Sequence, residues 1–177
     1  MPQAYVQLLM QAQMNVIHTF DYNNLKAHPA FDEICSKFYE KALLQLLNSK
    51  FELPNLLGFE ILEKRRDEFK NDTAFIAAIL NSNGTHAHQW AKTIVDENYD
   101  FYLRDLDFVI SLISNTKEDN ARWIQTLLTQ KAIFNEERIQ AILGKTISTL
   151  LTLDNTDNND ILAKAIIGRI NIIAAYQ

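Results

Sequence analysis

Phe75-Ile76-Ala77-Ala78-Ile79-Leu80 is matched in character by Phe108-Val109-Ile110-Ser111-Leu112-Ile113, which begins thirty-three positions later in the chain. A tryptophan follows each stretch, Trp90 after the first and Trp123 after the second, and the same interval separates these two. A regular period of this size is typical of proteins built from repeated helical units. The spacing therefore predicts that adjacent helix pairs stack on one another.

The same period extends to both sides of this stretch. Leu47-Asn48-Ser49 precedes an identical Leu80-Asn81-Ser82 by one period, and a five-residue lengthening aligns Leu112-Ile113 with Leu150-Leu151. We therefore expect a single helical domain, 1–177. Its parts are N-terminal helices in 1–41, repeat-like helix pairs in 42–166 and a terminal apolar helix in 157–177.

The composition favours helices. Of the 177 residues, 47% are hydrophobic, and only 4 Gly and 3 Pro interrupt them. So few turn-forming residues fit long helices better than a sheet with many turns. We predict an all-α protein of about eight or nine helices. They would form either a right-handed, α-solenoid-like stack of antiparallel helix pairs or a compact multi-helix bundle.

Turn and capping residues predict where several helices begin and end. Asp21-Tyr22-Asn23-Asn24 has turn chemistry and is expected to end the first helix. Asn71-Asp72-Thr73 can cap the helix that follows it, and Gly84 is free to adopt a left-handed turn.

Net charge and cysteine content narrow the functional classes. A net charge of −5 does not indicate a broad cationic surface for nucleic acid. The single Cys35 cannot form an internal disulfide, and the N-terminus lacks the basic region of a signal peptide. We expect a cytoplasmic protein, and secretion by a route without a signal peptide stays open. Ile161–Tyr176 is interrupted by Lys164 and Arg169 and is too short to span a membrane.

Thr73-Ala74-Phe75-Ile76-Ala77-Ala78 resembles the Thr-Pro-Leu-His-x-Ala-Ala start of an ankyrin repeat, a family that has the same period. Ala74 and Ile76 stand where the ankyrin pattern has Pro and His. The HEAT repeats are the other helical-repeat family that the sequence resembles. The resemblance implies a helix-pair stack that binds other proteins along one face and has no activity of its own. It carries no site residues over to this chain.

An acidic stretch rich in aromatic residues is the main candidate for a binding surface. Between positions 96 and 107, five acids stand against Arg104 alone. Asp100 can cap the helix that carries Tyr102. The alternative is that acids and aromatic rings together bind a basic amphipathic helix of a protein partner. The candidate partner-binding residues are Asp96, Glu97, Tyr99, Asp100, Phe101, Tyr102 and Arg104.

The sequence contains no recognisable catalytic motif. His86 and His88 are two positions apart, which on a helix directs their side chains to different faces. His18 and His28 are expected at helix ends as caps or surface residues. We therefore predict no catalytic residue, metal ion or cofactor, and an interaction or scaffold module of helical-repeat type.

Two alternatives remain. One is a small-ligand protein or metal-dependent enzyme whose pocket lies between helices and uses His86, His88 or the acids of 96–107. The other is a dimeric helical regulator, or a secretion chaperone or effector, with a homodimer interface through Ile161–Tyr176, because isoleucines nearly surround that helix.

Overall fold

The computed structural model of the protein describes residues 2–131, 134–154 and 156–175. These residues form thirteen helices and no strand, so the all-α prediction is confirmed. The number of helices exceeds the expected eight or nine because several expected helices are interrupted. A single helix over 3–20, for example, is replaced by two helices that are separated at residues 12–14.

The chain divides into two compact units, Met1–Lys92 and Thr93–Gln177, and each is described by itself. The helices that begin in the N-terminal unit are α1 (Pro2–Gln11), α2 (Asn15–Lys26), α3 (Phe31–Ser36), α4 (Glu40–Leu47), α5 (Glu52–Lys64), α6 (Arg66–Phe69), α7 (Thr73–Leu80) and α8 (Thr85–Glu97). The helices of the C-terminal unit are α9 (Tyr99–Arg104), α10 (Leu106–Ile113), α11 (Glu118–Gln130), α12 (Glu136–Leu151) and α13 (Asp157–Ala175).

The helix boundaries follow the period of the sequence. Helices α4, α7 and α10 have 8 residues each, and they begin at Glu40, Thr73 and Leu106, one full period apart. Helices α5, α8 and α11 have 13 residues each and show the same spacing. The short and long helices therefore alternate as one repeated pair over residues 40–130.

Burial within the short helices also repeats. In α7, Phe75, Ile76, Ile79 and Leu80 are buried, and the equivalent residues of α4 and α10 are buried as well. This spacing places all four side chains on one face of a helix. The apolar positions that the sequence repeats are thus core positions of each pair.

The period does not continue past Gln130. Helix α12 has 16 residues and α13 has 19, and neither length matches the earlier pairs. Leu151, which the lengthened alignment places opposite the buried Ile113, is 81% exposed. The 33-residue spacing of helix starts is therefore limited to 40–130, and the expected repeat over 42–166 stays a prediction in its C-terminal part.

Aspartates cap two of the short helices. The Asp72 side chain accepts a hydrogen bond from the Phe75 backbone N–H of α7 at 2.9 Å, as predicted. The Asp105 side chain accepts from the N–H groups of Asp107 and Phe108, at the start of α10. The expected cap Asp100 lies instead in the first turn of α9, because this helix already begins at Tyr99 and Asn98 holds its N-cap position.

Two other predicted boundaries were wrong. Helix α2 continues through Asp21 to Lys26, because Asp21 is buried and the Tyr22 hydroxyl donates to Glu60 of α5 at 2.7 Å. Gly84 does not have a positive φ. Its missing side chain instead leaves room for its neighbours, since a Cβ there would lie 2.8 Å from Asn55 Oδ1 and 3.3 Å from the Leu47 carbonyl oxygen.

Each unit has a core between its own helices. In the N-terminal unit, α2 packs against α1 and α5, and α4 packs against α1, α5 and α7. In the C-terminal unit, α10 packs against α9, α12 and α13, and α13 also packs against α11 and α12.

Candidate partner-binding surface

Six of the seven candidate partner-binding residues reach the surface, around the end of α8 and along α9. Phe101 is 39% exposed, Tyr99 is half-buried, and the charged side chains are exposed. We call this group the acidic surface. It consists of Asp96, Glu97, Tyr99, Asp100, Phe101 and Arg104.

Tyr102, the seventh candidate, belongs to the core. It is 1% exposed, and its ring lies 5.1 Å from that of Phe108. The equivalent rings one period earlier, Phe69 and Phe75, also pack together, at 4.5 Å. The position is therefore an aromatic core site of the repeat, and Tyr102 does not present its ring to a partner.

Residues in α11 and directly after it support the acidic surface. The indole N–H of Trp123 donates a hydrogen bond to Asp96 Oδ1 at 3.0 Å. The Lys131 ammonium group lies 4.9 Å from the centre of the Tyr99 ring, which is a cation–π contact. Both contacts restrain side chains of the acidic surface.

The negative charge of the stretch is concentrated at one end. Asp107 forms an ion pair with Lys145, and Asp105 is occupied by capping α10. Arg138 donates to the Leu103 carbonyl, and burial lowers the pKa of its guanidinium while the charge of Asp105 raises it. The exposed acids toward the end of α8 and the start of α9 are Asp96, Glu97 and Asp100.

The preceding repeat shows which features of α9 the fold requires. One period before Phe101 stands Glu68, an exposed residue that pairs with Arg65, and one period before Tyr99 stands Arg66. The scaffold thus accepts charged residues at both positions. The aromatic rings of Tyr99 and Phe101 are consequently not explained by the packing of the repeat.

The two histidines of the His86-Ala87-His88 motif are separated by the helix, as predicted. His88 is buried, and its Nε2 lies 2.6 Å from the Ser82 carbonyl oxygen. One repeat earlier, Asn55 donates in the same way to the Ser49 carbonyl. His88 therefore holds a loop of the repeat in place.

His86 is exposed and contacts a cavity of the N-terminal unit. Its ring lies 5.6 Å from that of Phe59, and both side chains line a cavity of about 530 Å³. Among the described residues, no group of three or more His, Cys, Asp or Glu side chains is arranged to hold a metal ion.

A groove between α1, α3 and α4 was not predicted from the sequence. It has a volume of about 800 Å³. Its apolar lining includes Val6, Met10, Ile34, Phe38 and Ala42, and its polar lining includes Gln7, Gln11, Glu33, Lys37 and Gln45. The sequence gives little sign of this groove, because it is formed by three separate helices and two of them, α1 and α3, lie outside the repeated region.

Two buried ionisable residues were also missed. His18 is 1% exposed and Asp21 is 0% exposed. Neither ring nitrogen of His18 and neither carboxylate oxygen of Asp21 has a hydrogen-bond partner among the described residues. Their spacing on α2 places them on one helix face, which the sequence did show. The expectation of a surface histidine was wrong because α2 is longer than predicted.

The terminal helix α13 is partly covered within its own unit. Ile166 and Ile173 are buried, whereas Ile161 and Ile167 are exposed. Lys164, which pairs with Asp160 at 2.5 Å, lies between these two exposed residues along the chain. Tyr176, the end of the proposed dimer interface, lies outside the described residues.

None of the described helices combines the length and the apolar character that crossing a membrane requires. No protein-family profile matches the chain, and neither a curated protein nor a solved structure is significantly similar to it.

Proposed function

We propose that the protein is a non-enzymatic interaction module and that the acidic surface binds a basic amphipathic helix of a protein partner. The observation that carries this proposal is the exposed Phe101 beside Asp100, at a position where the preceding repeat has Glu68. An aromatic anchor framed by charged residues is the usual composition of a strong contact at a protein interface.

The geometry supports this type of partner. Tyr102 anchors α9 in the core, so Phe101 is held in position without a flexible loop. Asp96, Glu97 and Asp100 supply negative charge for lysine or arginine side chains, which would guide the approach of the partner. A groove is not required for the first contact, because one face of an amphipathic helix offers both apolar and basic groups.

A binding experiment tests the proposal with a synthetic amphipathic helix that carries leucines on one face and lysines on the other. Calorimetry gives the affinity, and the fluorescence of Trp123 reports binding at the acidic surface because Trp123 contacts Asp96. Trp90→Phe removes the other tryptophan signal. We expect Phe101→Ala to weaken binding about tenfold. Added salt should weaken it further by screening the acids.

Two control variants make the experiment specific. Tyr39→Ala removes an exposed aromatic ring that lines the groove of the N-terminal unit, and Asp157→Asn removes an exposed acid from α13. Both should leave the affinity unchanged. If Tyr39→Ala weakens binding and Phe101→Ala does not, the peptide binds in the groove and the proposal for the acidic surface is wrong.

A further inference from the structure

Helices α1 and α2 and the residues that connect them expose several large apolar side chains. Among the described residues, ten large hydrophobic side chains are exposed, and four of them lie within thirteen consecutive positions of the N-terminal unit. They are Leu8, Met14, Val16 and Phe20, and the last two are 66% and 60% exposed. Apolar exposure concentrated in one place marks an interaction surface, whereas single exposed residues do not.

These side chains lie on one side of the α1–α2 pair. The Tyr5 and Phe20 rings are 6.5 Å apart, and both stand at nearly equal distances along the chain from the connection at residues 12–14. The two packed helices therefore run antiparallel, which brings Leu8 of α1 close to the level of Val16 on α2. Leu8 follows Tyr5 by three positions and Phe20 follows Val16 by four, so each pair shares one side of its helix.

This side of the N-terminal unit carries no charged side chain. From position 4 to position 25, every exposed or half-buried side chain is uncharged, whereas 22% of the whole chain is charged. His18 and Asp21 fall within this range, but both are buried. We call the exposed side chains of residues 4–20 the neutral surface.

The polar groups of the neutral surface are amides and one hydroxyl group. They belong to Gln7, Gln11, Gln13, Asn15 and Thr19. An amide carries both a donor and an acceptor, so it can form hydrogen bonds with an identical amide. An ammonium group offers only donors and an ionised carboxylate only acceptors, so neither can pair with its own kind. The neutral surface is therefore complementary to a copy of itself.

We infer that the neutral surface is the interface of a symmetric homodimer, in which α1 and α2 of one copy pack against α1 and α2 of a second copy. In a two-fold dimer the same surface meets itself, so a charge near the axis would face a like charge. Each copy has a net charge of −5. A surface without charged side chains is where two such copies approach each other with least repulsion.

Other kinds of partner fit the neutral surface less well. A basic or acidic partner would bury its charges there without counter-charges. Helices that lie on membranes are rich in lysine and arginine on their polar face, and the neutral surface has neither residue. The basic helix proposed for the acidic surface is thus not the partner of the neutral surface.

Analytical ultracentrifugation over a concentration series measures the association of the full chain. We expect a reversible dimer of the wild type at about 100 μM. Phe20→Glu should weaken the dimer at least about tenfold, because each copy would bring a carboxylate to an interface that has no counter-charge. Val16→Glu, at the most exposed of the four apolar positions, is the second variant and should have the same effect. Circular dichroism shows whether each variant keeps the helical content of the wild type.

Ile167→Glu is the matched control, because it makes the same change in net charge at an exposed apolar residue of α13. It should leave the dimer unchanged. Added salt should not weaken the association, since no ion pair crosses the neutral surface. A wild-type chain that stays monomeric at about 100 μM would overturn the inference. So would a dimer that Ile167→Glu dissociates while Phe20→Glu and Val16→Glu leave it intact, because the interface would then lie on α13.

Discussion

Phe101 and Tyr102 are neighbours in the sequence and lie in opposite environments. Tyr102 fills an aromatic core position that Phe69 fills one repeat earlier, whereas Phe101 stands where the earlier repeat has an exposed glutamate. Alternation of this kind follows from the helix, because adjacent side chains point about 100° apart. Two adjacent aromatic residues on one helix can therefore have different environments.

This difference gives a prediction for stability. Tyr102→Ala should lower the free energy of unfolding by about 3–5 kcal/mol, because it leaves a cavity beside Phe108. Phe101→Ala should lower it by less than about 1 kcal/mol, since the ring is partly in water. Urea unfolding of the two variants measures both values. Equal losses would assign Phe101 to the core as well.

At the scale of the helix, the repeated pairs share a hydrogen bond at the end of each short helix as well as a buried apolar face. The loop after each short helix has a carbonyl group that needs a donor, and these groups recur once per period, at Ser49, Ser82 and Asn115. The donors are Asn55, His88 and Arg169 in turn.

Arg169 shows how a different helix can supply the same bond. Its Nη1 lies 2.5 Å from the Asn115 carbonyl oxygen and also contacts those of Leu112 and Ile113. Burial lowers the pKa of this guanidinium. A cation at the C-terminal end of α10 is favourable because that end carries partial negative charge.

The N-terminal end of α10 is capped by Asp105, and the stabilisation from this cap can be measured. Asp105→Ala removes the acceptor for two backbone N–H groups and should cost about 1 kcal/mol of stability. Asp107→Ala, the control, removes an exposed ion pair with Lys145 and one acid of the first turn but no capping acceptor, and should cost about 0.5 kcal/mol or less. Thermal unfolding distinguishes the two. If the control lost as much stability as Asp105→Ala, the ion pair rather than the cap would stabilise this end.

At the scale of the whole chain, each of the two compact units contains one tryptophan. Trp90 lies in the N-terminal unit and Trp123 in the C-terminal unit. Their fluorescence can therefore follow the units one at a time, in variants that keep only one tryptophan.

We predict that Tyr102→Ala lowers the urea midpoint reported by Trp123 more than the midpoint reported by Trp90. The reason is that the Tyr102 ring packs in the core of the C-terminal unit. Urea titrations of Trp90→Phe and Trp123→Phe, each with and without Tyr102→Ala, measure the two shifts. Equal shifts would mean that the chain unfolds in one cooperative step.

Part of the candidate site could be predicted from the sequence. The acids and aromatic residues of 96–104 were identified by composition, and all but Tyr102 lie at the surface. Composition could not distinguish the buried Tyr102 from the exposed Phe101, because both residues are aromatic. Their orientation is set by α9, a helix of 6 residues that begins at Tyr99. Nor could composition show that Lys131, Arg138 and Lys145 approach from later parts of the chain.

The sequence by itself determined the helical class and the period of the repeat, because both depend on residue types at regular spacing along one chain. The tertiary structure alone decided which residues are enclosed between helices, including His18 and Asp21 on an extended α2. It also decided that the regular spacing of helix starts ends after Gln130. The physical reason is that burial depends on which helices pack together, and that packing brings together residues far apart in sequence.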